Sequence, residues 1–200
     1  MNNFRISIAG NGRVGKNSLT SCFKKLFAAK NILAKEYSFA AQLKRELYPL
    51  LLLNFGISAF TEEDKDKKFI RPLLIQYGQM WRQKDENHWI DKVQEQIEND
   101  PVPHIVLNND TRFENERDWA QKNGIVIHLT RYDNSGEPFP PVSEDEKILD
   151  PILKKTSNYQ FSWDSLGENS PELYYKAEQL FEQIFSPYIS TWQQDFPIQT

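Results

Sequence analysis

Gly10-Asn11-Gly12-Arg13-Val14-Gly15-Lys16-Asn17-Ser18 carries the Gly-x-x-x-x-Gly-Lys spacing of a phosphate-binding P-loop. An apolar run from Phe4 to Ala9 precedes it and reads as a buried strand. A helix-period run follows, with Leu19, Cys22, Phe23, Leu26 and Phe27 on one face. Strand, glycine loop and helix are the context in which the spacing has physical meaning. The glycines let backbone N–H groups crowd around phosphate oxygens, and the first helical turn adds unpaired N–H groups and positive dipole. Gly10, Asn11, Gly12, Arg13, Val14, Gly15, Lys16, Asn17 and Ser18 are therefore the candidate phosphate-binding residues, with Lys16 the cation for the outermost phosphates. The bland alternative is a tight turn with an incidental lysine. Asn17 stands where a hydroxyl usually follows the lysine, so Ser18 becomes the hydroxyl expected near a metal or a phosphate.

The rest of the chain alternates in the same way. Glu36–Phe39 reads as a second strand, and a helix begins near Ala40 that Pro49 bends or restarts and Gly56 closes. Thr61–Lys68 is charged and reads as an exposed loop. Phe69 to Arg82 is helical, with Ile70, Leu73, Leu74, Tyr77 and Trp81 as its core face. A helix from about Asn87 uses Trp89, Ile90, Val93 and Ile97. His104–Asn109 is a strand ending at Asp110, Glu114–Lys122 a helix capped by Gly124, and Ile125–Thr130 a strand ending at Arg131. Tyr132–Asp150 is rich in proline and acid, shows no period, and is the candidate lid, about 132–150. Tyr159–Trp163 and Pro171–Phe185 read as a last strand and a last helix. This alternation implies an α/β fold with a parallel, doubly wound sheet, whose ligands bind outside the carboxyl ends of the strands. That places the glycine loop, Asp110 and Arg131 on one rim.

Bulk properties narrow the function. With 200 residues the chain suits one α/β domain with a real core. A formal net charge of −4 argues against a general nucleic-acid binder. The single cysteine, Cys22, falls on an apolar helix face and has no partner for a disulfide within the chain. The first strand begins almost at the N-terminus, leaving no room for a signal peptide, and Leu50 to Leu53 is too short to span a bilayer. The expectation is a cytoplasmic protein with small-molecule nucleotide partners and no membrane.

Asp110-Thr111-Arg112 sits where a strand emerges. An acid there can hold magnesium or accept hydrogen bonds from a nucleotide, and Arg112 is placed to meet phosphate. The competing reading is a structural ion pair. Arg71, Gly78 and Arg82 are spaced by seven and four, so they share a narrow helical stripe away from the core face. A mid-helix glycine costs about 1 kcal/mol relative to alanine, and a notch there would suit a base or a phosphate. The two arginines lie about 16 Å apart along the axis, so both need not touch one phosphate. Lys44 is a further basic element, with a solvated helix face as the simpler reading. Trp81 and Trp89 are core by spacing, though either could offer a stacking face. His88 and His128 lack partners for a metal or a triad and read as structural.

In order along the chain, several pieces resemble the phage-type deoxynucleoside monophosphate kinases, a branch of the P-loop kinases. They are Gly10 to Ser18 in the Gly-Lys-x-Ser form, Ser38-Phe39-Ala40-Ala41-Gln42-Leu43-Lys44, and Arg71-Pro72-Leu73-Leu74-Ile75-Gln76-Tyr77-Gly78 with Arg82 and His88-Trp89. Asp110-Thr111-Arg112-Phe113-Glu114-Asn115-Glu116 is the sharpest, and Ser143-Glu144 a weak last one. The resemblance covers about Phe4 to Glu144. It implies a five-stranded parallel core of order 2-3-1-4-5 and transfer of the γ-phosphate of ATP to a deoxynucleoside monophosphate, with magnesium. On this chain it implies that Lys16, Arg13, Arg131 and Asp110 are catalytic and that Ser18 and Asp110 hold the metal. It assigns Lys44, Arg71, Gly78, Arg82, Trp89, Asp110 and Arg112 to the acceptor, in a helical segment of about 40–100. Two departures stand out: Asn17-Ser18 replaces the usual Asp-Thr, and the lid segment is poor in arginine between Tyr132 and Asp150. The missing charge would come from Arg13 and Arg131, or from a second subunit in a homodimer. The alternatives are a nucleotide-binding sensor without turnover and a P-loop kinase of another small metabolite.

Overall fold

The computed structural model describes residues 3–165 and 170–198. The chain runs β1 (Arg5–Ala9), α1 (Lys16–Ala29), β2 (Ala34–Tyr37), α2 (Phe39–Phe55), α3 (Asp64–Lys84), α4 (His88–Glu98), β3 (Ile105–Thr111), α5 (Glu114–Lys122), β4 (Gly124–Tyr132), α6 (Glu144–Thr156), β5 (Tyr159–Asp164) and α7 (Pro171–Phe185). A 3-10 turn at Ser186–Tyr188 leads to α8 (Ile189–Asp195). Two compact units result: residues 1–37 with 100–200, and residues 38–99.

The first unit holds a five-stranded sheet of order β2-β3-β1-β4-β5, parallel at every pairing. The α/β class and the 2-3-1-4-5 order are those expected. Parallel strands need crossover connections, which lay helices on both faces of the sheet. Ile6, Ile8, Ile127 and Leu129 turn one face toward α1, α7 and α8, in a core built on Phe23, Phe27, Phe181 and Phe185. Ala9 and Val126 turn the other face toward Ala120 and Leu153, of α5 and α6. The C-terminal segment closes the first core: Trp192 and Phe196 are buried, and the Leu33 N–H donates to the Phe196 carbonyl.

The five apolar residues expected on α1 are all buried, as are Trp89, Ile90, Val93 and Ile97 on α4. Several boundaries differ from expectation. Pro49 lies inside α2 and does not restart it, while Gly56 closes that helix as expected, in a left-handed conformation. The charged stretch 61–68 is a loop only to Glu63, because α3 starts at Asp64, with Asp64 and Asp66 in its first turn to complement the helix dipole. Leu73, expected in the core, is 38% exposed. Gly124 opens β4 instead of capping α5, and it pairs with Arg5 across the sheet. The stretch 132–150, read as aperiodic, holds a turn organised by Asp133 and then the first half of α6, capped by Ser143.

Candidate active site

β1 and β3 are adjacent in the sheet, yet the chain leaves them toward opposite edges. Their carboxyl ends therefore flank a crevice where a ligand can enter. The glycine loop leaves β1 there, and Asp110 and Arg112 lie where β3 ends. A cavity of about 420 Å³ opens at this point. It is lined by Gly12, Arg13, Gly15, Lys16, Asn17 and Ser18 of the loop and first helical turn, by Asn109 and Asp110 of β3 and Arg112 just after it, and by Arg131 of β4. All four residues expected to be catalytic, and both expected to hold metal, thus line one cavity.

The loop is held from below. Gly15 caps α1 at φ 94°, ψ 26°, a left-handed conformation that L side chains resist. A Cβ there would also fall 2.7 Å from the Trp163 ring, whose Nε1 donates to the Val14 carbonyl at 2.8 Å. Gly10 is equally constrained, since its φ is 134° and a Cβ would meet the Leu129 carbonyl oxygen at 2.3 Å. Val14 points away from the cavity into the core. No side chain caps the N-terminus of α1, whereas serines cap α2, α6 and α7. Its first N–H groups face the ligand side, the arrangement an anion requires.

Lys16, expected as the cation for the outermost phosphates, is buried. Its Nζ donates to the Gly10 and Asn11 carbonyls, each at 2.7 Å. Burial, followed by the nearby Arg112 charge, lowers its pKa to about 8, against the opposing pull of Glu146, Asp110 and Asp150. Two consequences have a definite sign. The unfolded chain holds this proton up to the ordinary lysine value, so Lys16 costs stability below pH 8, and that cost is relieved as pH rises from about 8 toward 10.5. A bound polyphosphate favours the charged lysine, so binding at pH 8.5 should take up part of a proton and weaken as pH rises further. Titration calorimetry with tripolyphosphate in buffers of different ionisation enthalpy reads that uptake. Zero uptake at pH 8.5 would contradict it.

Arg131 is fixed on three sides. It donates to the Arg13 carbonyl (3.2 Å) and to Ser165 Oγ (2.9 Å), and its guanidinium lies 4.7 Å from the Phe139 ring centroid. Arg13 itself is exposed, at φ 67°. Arg112 Nη1 sits 3.2 Å from Glu146 Oε1. Ser18 and Asp110 offer a hydroxyl and a carboxylate, hard oxygen donors that suit magnesium, a cation that keeps waters and substrate phosphates for its remaining positions.

The residues expected on the acceptor side divide. Lys44, Arg71, Gly78, Arg82 and Trp89 belong to the second unit, Asp110 and Arg112 to the first. Arg71 is exposed and Arg82 half-buried. Gly78 is buried, not an open notch: a Cβ would meet Leu43 at 2.8 Å, so the glycine serves close helix packing. Trp89 presents no stacking face, because it is 1% exposed and its Nε1 donates to the Gly78 carbonyl at 3.3 Å. Lys44 Nζ lies 5.6 Å from the Phe60 ring centroid.

Sequence reasoning missed Glu146, Trp163 and Asn109. Ser143-x-x-Glu146 has the spacing of a helix capping box, which was the available signal for α6. Ser143 Oγ does accept the Glu146 N–H (3.2 Å), but the Glu146 carboxylate turns to the Val142 and Gly12 N–H groups, at 2.9 and 3.0 Å. Asp150, one turn later, meets His128 of β4, its Oδ1 lying 3.0 Å from Nε2.

No protein-family model matches the chain, and no curated protein matches it. Among solved structures it is similar to a shikimate kinase from Bacteroides thetaiotaomicron (13% identity, TM-score 0.47, 92% of this chain and 98% of that one). It is also similar to a gluconokinase from Sinorhizobium meliloti (14%, 0.41, 94% and 98%) and to the APS kinase of Mycobacterium tuberculosis (12%, 0.38, 90% and 96%). At these identities and scores the likenesses carry no assignment of substrate.

Proposed function

We propose that the chain is a P-loop kinase that transfers the γ-phosphate of ATP to a (deoxy)nucleoside monophosphate, with magnesium. The observation that carries this reading is the single cavity shared by Gly12, Gly15, Lys16, Ser18, Asp110, Arg112 and Arg131. Phosphoryl transfer asks a protein for positioning and positive charge more than for covalent chemistry. The loop N–H groups bind the donor phosphates, Lys16 and Arg131 neutralise charge that develops on the transferring group, and Arg13 adds to them. Ser18 and Asp110 would hold the magnesium, which would neutralise phosphate charge.

Arg112, Arg71 and Arg82 bind the acceptor. Alanine at each should raise the acceptor KM, lower kcat, or both, and leave ATP affinity nearly unchanged. Steady-state kinetics with each substrate varied in turn is the check. Lost ATP binding with retained acceptor binding would reverse the assignment. The acceptor itself follows from a thermal-shift panel of the common nucleoside monophosphates, with shikimate and APS included, since stabilisation scales with occupancy. Stabilisation by a monophosphate supports the reading, and stabilisation by shikimate or APS alone replaces it with a kinase of another small metabolite. The sensor reading, a nucleotide binder without turnover, draws on the arginine-poor segment 132–150.

A further inference from the structure

Glu146 is an acid in surroundings that suit an anion. It is 5% exposed, its Oε2 accepts the Gly12 and Val142 N–H groups, and its Oε1 pairs with Arg112 at 3.2 Å. Backbone N–H groups and a guanidinium are also the partners that a phosphate oxygen selects. Gly12 and Arg112 both line the cavity. The segment before Glu146 lies on the same part of the loop. Val142 Cγ2 lies 2.7 Å from where a Gly12 Cβ would stand, and Asn11 Nδ2 donates to the Phe139 carbonyl at 3.3 Å. Lys16 is turned inward onto two loop carbonyls. The loop's cation, the Gly12 N–H and Arg112 are thus all engaged within the chain.

We propose that Glu146 is a built-in competitor for the donor's phosphates at the Gly12 N–H, released from it when a polyphosphate enters, so that donor binding is an exchange of anions. The inference rests on the phosphate-loop reading above and concerns what sets affinity at that site. A carboxylate and a polyphosphate in one poorly solvated site repel each other, so the two compete. Release can stay local. The His128–Asp150 contact at 3.0 Å holds α6 against β4 one turn beyond Glu146. Only the entry to the helix, near Val142 to Glu146, needs to move.

Calorimetry with inorganic tripolyphosphate and with ATP, on the wild type and on Glu146→Gln, tests the exchange. Glutamine keeps the shape and removes the charge. The expected result is binding about tenfold tighter in the variant. Equal or weaker binding in the variant, with the wild type binding normally, overturns the inference and leaves the kinase reading standing. A structural role alone would lower the thermal midpoint without tightening binding. Hydrogen exchange on the wild type needs no variant: tripolyphosphate should reduce protection of amides 142–147, and a gain in protection there would overturn the exchange. Failure of both proteins to bind either ligand overturns the phosphate-loop reading, and this inference with it.

Discussion

Replacing Lys16 with alanine lowers phosphoryl transfer on the order of a hundredfold or more. Charges preorganised toward a transition state have effects of that size when removed. Lys16 sits in the first turn of α1 and lines the cavity beside Ser18 and Asp110. Its burial sharpens the expectation, because a charge acts more strongly where water is excluded. The variant should still fold. Alanine is the best helix former, and the substitution removes a buried charge whose desolvation lowers its pKa to about 8. Circular dichroism and a coupled assay for ADP release separate the two effects. Turnover within a factor of a few of wild type, in a folded variant, would rule out a P-loop kinase.

Phe181→Ala should destabilise the protein by about 3–5 kcal/mol, the range for deleting a buried aromatic side chain. Phe181 is fully buried and stands at the centre of an aromatic cluster, with ring centroids 5.8 Å from Phe23, 4.7 Å from Phe27 and 5.2 Å from Phe185. The cluster ties α7 to α1, the helix that the glycine loop leads into. A loss of that size should appear as a lower urea midpoint with little change in slope. A change under about 1 kcal/mol would mean that the site collapses around the lost ring, against the close packing argued for this face.

How much was legible in the sequence depended on which force dominated locally. The loop and α1 were readable because glycine spacing and a 3.6-residue apolar period agree there. The same period located α4 and both ends of α7. Pro49 does not restart its helix, which runs through it. Charge misled at Asp64, where acids at a helix start favour the helix instead of a loop. The segment before Asp150 read as aperiodic because its helix turns one acid, Glu146, inward, and that burial depends on partners distant in sequence. Gly78 was assigned to ligand binding from a stripe on one helix, whereas Leu43 on a neighbouring helix decides its surroundings; Trp89, assigned by the resemblance, is buried with its Nε1 on the Gly78 carbonyl. Helical periodicity shows which residues share a face but not what covers it. Trp163, at the far end of the chain, positions the loop through a bond that no local pattern announces.

The central claim is that the cavity between the glycine loop, Asp110 and Arg131 moves a phosphoryl group. Incubating the protein with magnesium, ATP and each common nucleoside or deoxynucleoside monophosphate, then resolving the products by chromatography, tests it most directly. The account predicts ADP together with one nucleoside diphosphate in equal amounts, formed by the wild type and lost in Lys16→Ala. ATP binding with no diphosphate from any monophosphate would contradict it.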